Sequence, residues 1–107
     1  MTCPSKMPVM GCREMVEITG AEYMLRQMAE ECAELNHASL KLVRSMNGET
    51  PLPITAARAN LIEEIADVKN MLRVFESAIL NTAELKEITK IQDAKMQRFS
   101  DRIRERP

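Results

Sequence analysis

Between Gly20 and Gly48 the chain has neither glycine nor proline, and Leu25, Met28, Cys32, Leu35, Ser39 and Leu42 recur at steps of three and four. That period is helical and not extended, because residues three and four apart share one face of an α-helix. Asn47-Gly48 supplies the stop, so the helix ends near Met46. Thr19 with Glu22 forms a capping box and Ile18 with Tyr23 a hydrophobic staple, which predict a start at Gly20 or Ala21. A helix of about 26 residues is about 40 Å long. A compact domain of this size is only roughly 35 Å across. The helix therefore needs partners beyond its own chain.

The remaining segments follow the same grammar. Asn47 to Ile54, with Gly48, Pro51 and Pro53, reads as a loop, and Thr55 as the N-cap of a second helix. Its stripe is Leu61, Ile65, Val68, Leu72, Phe75 and Ile79, reaching about Leu80. Asn81-Thr82 stops it and caps a third helix with Glu84 and Glu87 near its positive end. That helix carries Leu85, Ile88, Ile91, Lys95, Phe99 and Ile103. Residues 1–18, with Pro4, Pro8 and Gly11, show no sustained period and read as an N-terminal arm with at most a turn at Arg13 to Val16; residues 19–107 form the domain. The expected fold is all-α: two long antiparallel helices and a third, with a four-helix bundle completed in a homodimer or a dimer of dimers.

Composition excludes several partners. A formal net charge of −1 gives no basic surplus for nucleic acid or an anionic membrane. No apolar run approaches the roughly 18 residues of a membrane span, and the first twenty residues lack a signal-like pattern, so a cytoplasmic protein is expected. Cys3, Cys12 and Cys32 are odd in number and at no metal-ligand spacing; Cys32 falls in the apolar stripe, where a reduced thiol packs. Phe75 and Phe99 also lie in stripes and are expected in the core.

Two acidic clusters carry the chemistry: Glu30-Glu31-Cys32-Ala33-Glu34 and Glu63-Glu64-Ile65-Ala66-Asp67. Glu31/Glu34 and Glu64/Asp67 are i, i+3 pairs, so each long helix projects two carboxylates from one face. Glu30/Glu34 and Glu63/Asp67 are like-charge i, i+4 pairs, unfavourable by a few tenths of a kcal/mol each. Bases that would relieve them are scarce: Arg26 reaches Glu30, no lysine or arginine follows Glu34 within a turn, and Lys69 points away from Glu64. A solvated acidic face is the plain alternative for one such cluster, but two matched clusters bordering apolar stripes point to a cation. An all-oxygen set suits Mg²⁺ or Mn²⁺, and four to six carboxylates allow more than one ion.

With this spacing the chain resembles the MazG-like superfamily of all-α nucleotide pyrophosphohydrolases. The resemblance covers roughly residues 27–98 and rests on Glu30 to Leu35, on Ala38 and Lys41, and on Asn60 to Val68. It implies Mg²⁺-dependent hydrolysis of (deoxy)nucleoside triphosphates to monophosphate and pyrophosphate, as in nucleotide-pool housekeeping. It implies that Glu31, Glu34, Glu64 and Asp67 are the metal ligands. Glu30 and Glu63 are further candidates, either as ligands or as the catalytic group that takes a proton from the attacking water. Lys41, on the face of Glu31 and Glu34, fits the family pattern for binding phosphates, and Lys95 and Arg98 resemble basic positions used for the same purpose. Asn70, a turn past Asp67, is placed to orient a ligand or touch a sugar; a plain exposed asparagine is the alternative.

Two other readings compete. A helical interaction module without enzymatic activity fits the composition but leaves the matched acid pairs unexplained. Glu34-Leu35-Asn36-His37 has the Glu-x-x-His spacing of di-iron carboxylate bundles, yet His37 is the chain's one histidine.

Overall fold

A computed structural model describes residues 7–107 and is all-α: α1 (Cys12–Thr19), α2 (Ala21–Met46), α3 (Ile54–Val74) continued by a π-turn (Phe75–Ile79), and α4 (Thr82–Arg104). Among the described residues no helix is long and apolar enough to cross a membrane. Cys3 lies outside the described residues; Cys12 is half-buried and Cys32 exposed, both as free thiols.

The helix ends follow backbone chemistry. α2 stops in a Schellman motif: Gly48 takes φ 69°, its N–H donates to Ser45 (3.2 Å), and Glu49 N–H donates to Arg44 (2.9 Å). Ser45 Oγ then donates to the Leu52 carbonyl at 2.7 Å, tying the loop back to the helix it leaves. At Asn81 the capping box is complete, since Asn81 Oδ1 accepts from Glu84 N–H (2.8 Å) and Glu84 Oε1 accepts from Asn81 N–H (2.9 Å).

Other ends differ from expectation. Thr19 does not cap α2; it closes α1, its Oγ1 donating to the Met15 carbonyl at 2.8 Å. Gly20, at φ 89°, makes the corner instead, a conformation open to glycine and strained for any other residue. Ile18 and Tyr23 are exposed and form no staple. α3 starts at Ile54 behind Pro53, so Thr55 sits inside the first turn. Residues 12–19, read as an arm, form a two-turn helix whose Cys12, Met15 and Val16 pack on Met24, Met71, Val74 and Phe75. The π-turn, marked by Leu80 N–H donating to the Phe75 carbonyl at 2.8 Å, brings Ile79 and Leu80 to the same cluster.

α2 and α3 form an antiparallel hairpin, and its contact face is one residue out of step with the apolar stripes. On α2 the buried positions are Met24, Ala38 and Ser45; on α3 they are Ala57, Met71 and Val74. Each stripe lies one residue later, about 100° round its helix. Leu25, Cys32, Ile65 and Leu72 are accordingly exposed, and Met28, Leu35, Leu42, Leu61 and Val68 only half-buried. Because the helices run in opposite directions, the same turn on each carries both stripes to one side of the hairpin. The opposite side, one residue earlier, carries Glu30, His37, Arg44, Glu63, Asn70 and Arg73.

α4 has no buried residue and at most marginal contact with the rest; Phe99 is 56% exposed, not in a core. The chain is open as a result. Its accessible surface is 9007 Å², against about 6,100 Å² for a compact monomer of its mass. Its radius of gyration is 17.8 Å, where about 13 Å is usual.

Candidate metal centre

Ala38 and Ala57, 2% and 1% exposed, are the most buried residues of the hairpin, and their methyl groups suit a close approach of the two helices. The hairpin's other end is held by Met24, Met71, Val74 and Phe75. Between these seams the same helix faces present acids. Glu31, Glu34, Glu64 and Asp67 each offer one oxygen, and the four lie within 4.8 Å of one another. Glu31 and Glu64 are half-buried, Glu34 and Asp67 exposed, so the group is walled within and open without.

Its electrostatics are unbalanced. Glu31 Oε1 accepts from Gln27 Nε2 at 3.1 Å, but Glu31 Oε2 and Glu64 Oε2 are enclosed with no hydrogen-bond partner. Enclosed acceptors without donors are costly and uncommon. The Glu64 carboxyl is held above its ordinary value of 4.5, first by desolvation, then by the charge of Glu34 and a hydrogen bond with it, then by Asp67 and Glu31. Although Glu64 as a residue is only half-buried, the enclosed oxygen accounts for that leading cause. Among the described residues, no lysine or arginine pairs with any of the four; Arg26, expected near Glu30, pairs with Glu22 at 3.1 Å.

Beside the acids lies a cleft of about 320 Å³ lined by Ala33, Glu34, His37, Ala38, Asn60 and Glu64. It opens on the polar side of the hairpin. Asn60 and Gln27 are contributors that the sequence reading missed, although each stands one turn before an acid of the cluster. His37 is exposed and also lines the cleft.

The other expected site residues stand apart. Glu30 and Glu63 are exposed on the polar flank, outside the four-oxygen group. Lys41 is half-buried and lines no part of the cleft. Asn70 borders a separate hollow with Lys69, Leu72, Arg73 and Glu76. Lys95 and Arg98 lie on α4 in a hollow formed by that helix alone.

The residues present fit a hard divalent cation. Two oxygens on opposite sides of Mg²⁺ stand about 4.2 Å apart. The observed 4.8 Å spread is within a small side-chain adjustment of that. Comparison with family models, with curated proteins and with solved structures finds no match to this chain.

Proposed function

We propose that this chain is a Mg²⁺-dependent nucleoside triphosphate pyrophosphohydrolase that works as a homo-oligomer. One observation carries the reading: four carboxylates from two helices converge within 4.8 Å, two of them with an enclosed and unpartnered oxygen. A solvated acidic face leaves its oxygens in water, so it does not account for enclosed ones. The resemblance of residues 27–98 to MazG-like enzymes supplies the reaction.

Glu31, Glu34, Glu64 and Asp67 hold the cation, with Gln27 fixing the orientation of Glu31. When bound, such an ion polarises phosphate oxygens and makes a water acidic enough to attack phosphorus. Glu30 and Glu63, exposed on the polar flank outside the four-oxygen group, are the candidates to take a proton. The cleft at His37 and Asn60 admits the nucleotide from the polar side. Lys95 and Arg98 serve the phosphates only from a second copy, because α4 stays off the hairpin in its own protomer.

The apolar side of the hairpin supports the oligomeric part of the reading. The accessible surface of the whole chain exceeds that of a compact monomer of its mass by about 2,900 Å², more than the roughly 800 Å² per partner that a standard interface buries. A metal-free interaction module would share that surface but has no use for the converged acids. A di-iron centre would want imidazole ligands, and a single exposed His37 suits it poorly.

The test is product analysis with a panel of ribo- and deoxynucleoside triphosphates, in Mg²⁺ or excess chelator. Monophosphate plus pyrophosphate, lost on chelation, is expected. Metal binding without cleavage of any triphosphate would refute the reaction, and absence of metal binding would refute the site.

A further inference from the structure

A triphosphate brought to four carboxylates meets like charge that one divalent ion only partly neutralises. Among the described residues no lysine or arginine pairs with the cluster, so the distal phosphates need a positive group within reach along the substrate's path. The polar flank of α2 provides a path. Next to the acid-lined cleft lies a second hollow of about 290 Å³, lined by Ala33, Asn36, His37, Leu40 and Arg44. The two hollows share Ala33 and His37.

The second hollow is elongated. Ala33 and Arg44 are eleven residues apart, about 16 Å along the axis. Helical side chains lean toward the N-terminus, so Arg44 points back over Leu40 toward His37 and the acids. Among the described residues, Arg44 makes no ion pair, and the side chains of Asn36 and His37 make no hydrogen bond. A forked guanidinium with free donors, an amide and an imidazole on one trough form a donor set for a chain of phosphate oxygens, and arginine's fork matches phosphate geometry.

We propose that this trough seats the β,γ-diphosphate of the substrate, and afterwards the released pyrophosphate, with Arg44 as the anchoring cation and His37 as the bridge between trough and metal centre. The proposal rests on the reading of the acid cluster as a metal site. Arg44 also stands in the last turn of α2, where a cation favours the helix dipole. Arg44→Lys separates the two roles, keeping the charge at the helix end and losing the fork.

The experiment is calorimetric titration of the full chain with inorganic pyrophosphate in Mg²⁺, for the wild type, Arg44→Lys, Arg44→Ala and His37→Gln, with the Mg²⁺-induced rise in Tm measured alongside. Loss of charge-assisted hydrogen bonds at Arg44 weakens pyrophosphate binding roughly tenfold to a hundredfold in both arginine variants. The Mg²⁺ response stays that of the wild type. Equal affinity in Arg44→Ala, or no binding by a wild type that does respond to Mg²⁺, overturns the trough and leaves the metal site standing. A wild type that does not respond to Mg²⁺ overturns both.

Discussion

Replacing Ala38 with leucine tests whether the tight seam of the hairpin sets the spacing of the acids. Ala38 is 2% exposed on a contact face that also buries Ala57, 1% exposed, so a larger side chain must push against the facing helix unless it turns into the cleft that Ala38 also borders. Overpacking of this kind costs about 1–3 kcal/mol. For a domain near 100 residues each kcal/mol lowers Tm by about 4–8 °C, so a fall of roughly 4–24 °C is expected. Interaxial distances run from about 8 to 10 Å with side-chain size, so leucine widens the seam by about 1–2 Å. Glu34 lies one turn from Ala38, and its partners Glu64 and Asp67 lie across that seam. The oxygens now within 4.8 Å would separate beyond what rotamer changes recover for an ion that spans about 4.2 Å. Thermal scans with and without Mg²⁺ should therefore show Ala38→Leu losing both stability and its Mg²⁺ response, while Ala38→Ser keeps the response. A leucine variant that melts like the wild type, or is stabilised by Mg²⁺ to the same extent, would refute the argument.

Asp67→Asn removes one ligand charge and almost no volume; turnover should fall below detection with circular dichroism unchanged, and full activity would remove Asp67 from the ligand set. Glu64 gives a pH dependence of definite sign. Its carboxyl is raised above 4.5 in the folded chain, so its contribution to apoprotein stability is present at and below that value and lost as pH rises through the folded value. Acidifying metal-free protein from neutrality toward 4.5 should favour folding through Glu64, and Glu64→Gln should flatten that part of the Tm profile; the Mg²⁺-induced rise should shrink over the same interval, because ligands must be ionised. Asn81→Ala removes the α4 cap, worth about 0.5–2 kcal/mol. Since α4 barely touches the hairpin in its own protomer, faster hydrogen exchange at residues 83–85 is the expected signature, and unchanged exchange there would show that the cap does not limit opening. Leu35→Glu, on the apolar side of the hairpin, should reduce the mass measured by sedimentation to that of one chain.

The three long helices were legible because the stops are chemical: Asn47-Gly48, Pro51, Pro53 and Asn81 each break or cap a helix by a local rule, whereas α1, short and without a sustained period, was read as an arm. The acid pairs were legible for a similar reason, since i, i+3 spacing places two side chains together whichever way the helix is turned. Rotation was not legible. Periodicity shows that a helix has an apolar face without showing which neighbour covers it, and the stripes from Leu25 and Leu61 were the natural choice for the hairpin contact. The chain instead closes the hairpin through Met24, Ala38, Ala57 and Met71, with the acids on the same face. A seam of alanines gives little hydrophobic signal, yet it is what permits close approach. Thr19 misled for a related reason: a hydroxyl before a helix is a cap only when the preceding chain leaves it free, and here α1 claims it. The quarter-turn offset also bears on function. Had the stripes met each other, the acids would lie at the edge of the seam in water. Turned as they are, Glu31 and Glu64 each have an oxygen enclosed between the helices while Glu34 and Asp67 stay open to solvent, and the strongest apolar signal in the sequence faces away from the hairpin's own contact. Enclosing the site thus exposes the surface that a second copy is proposed to cover, so loss of the oligomer should also loosen the acid cluster.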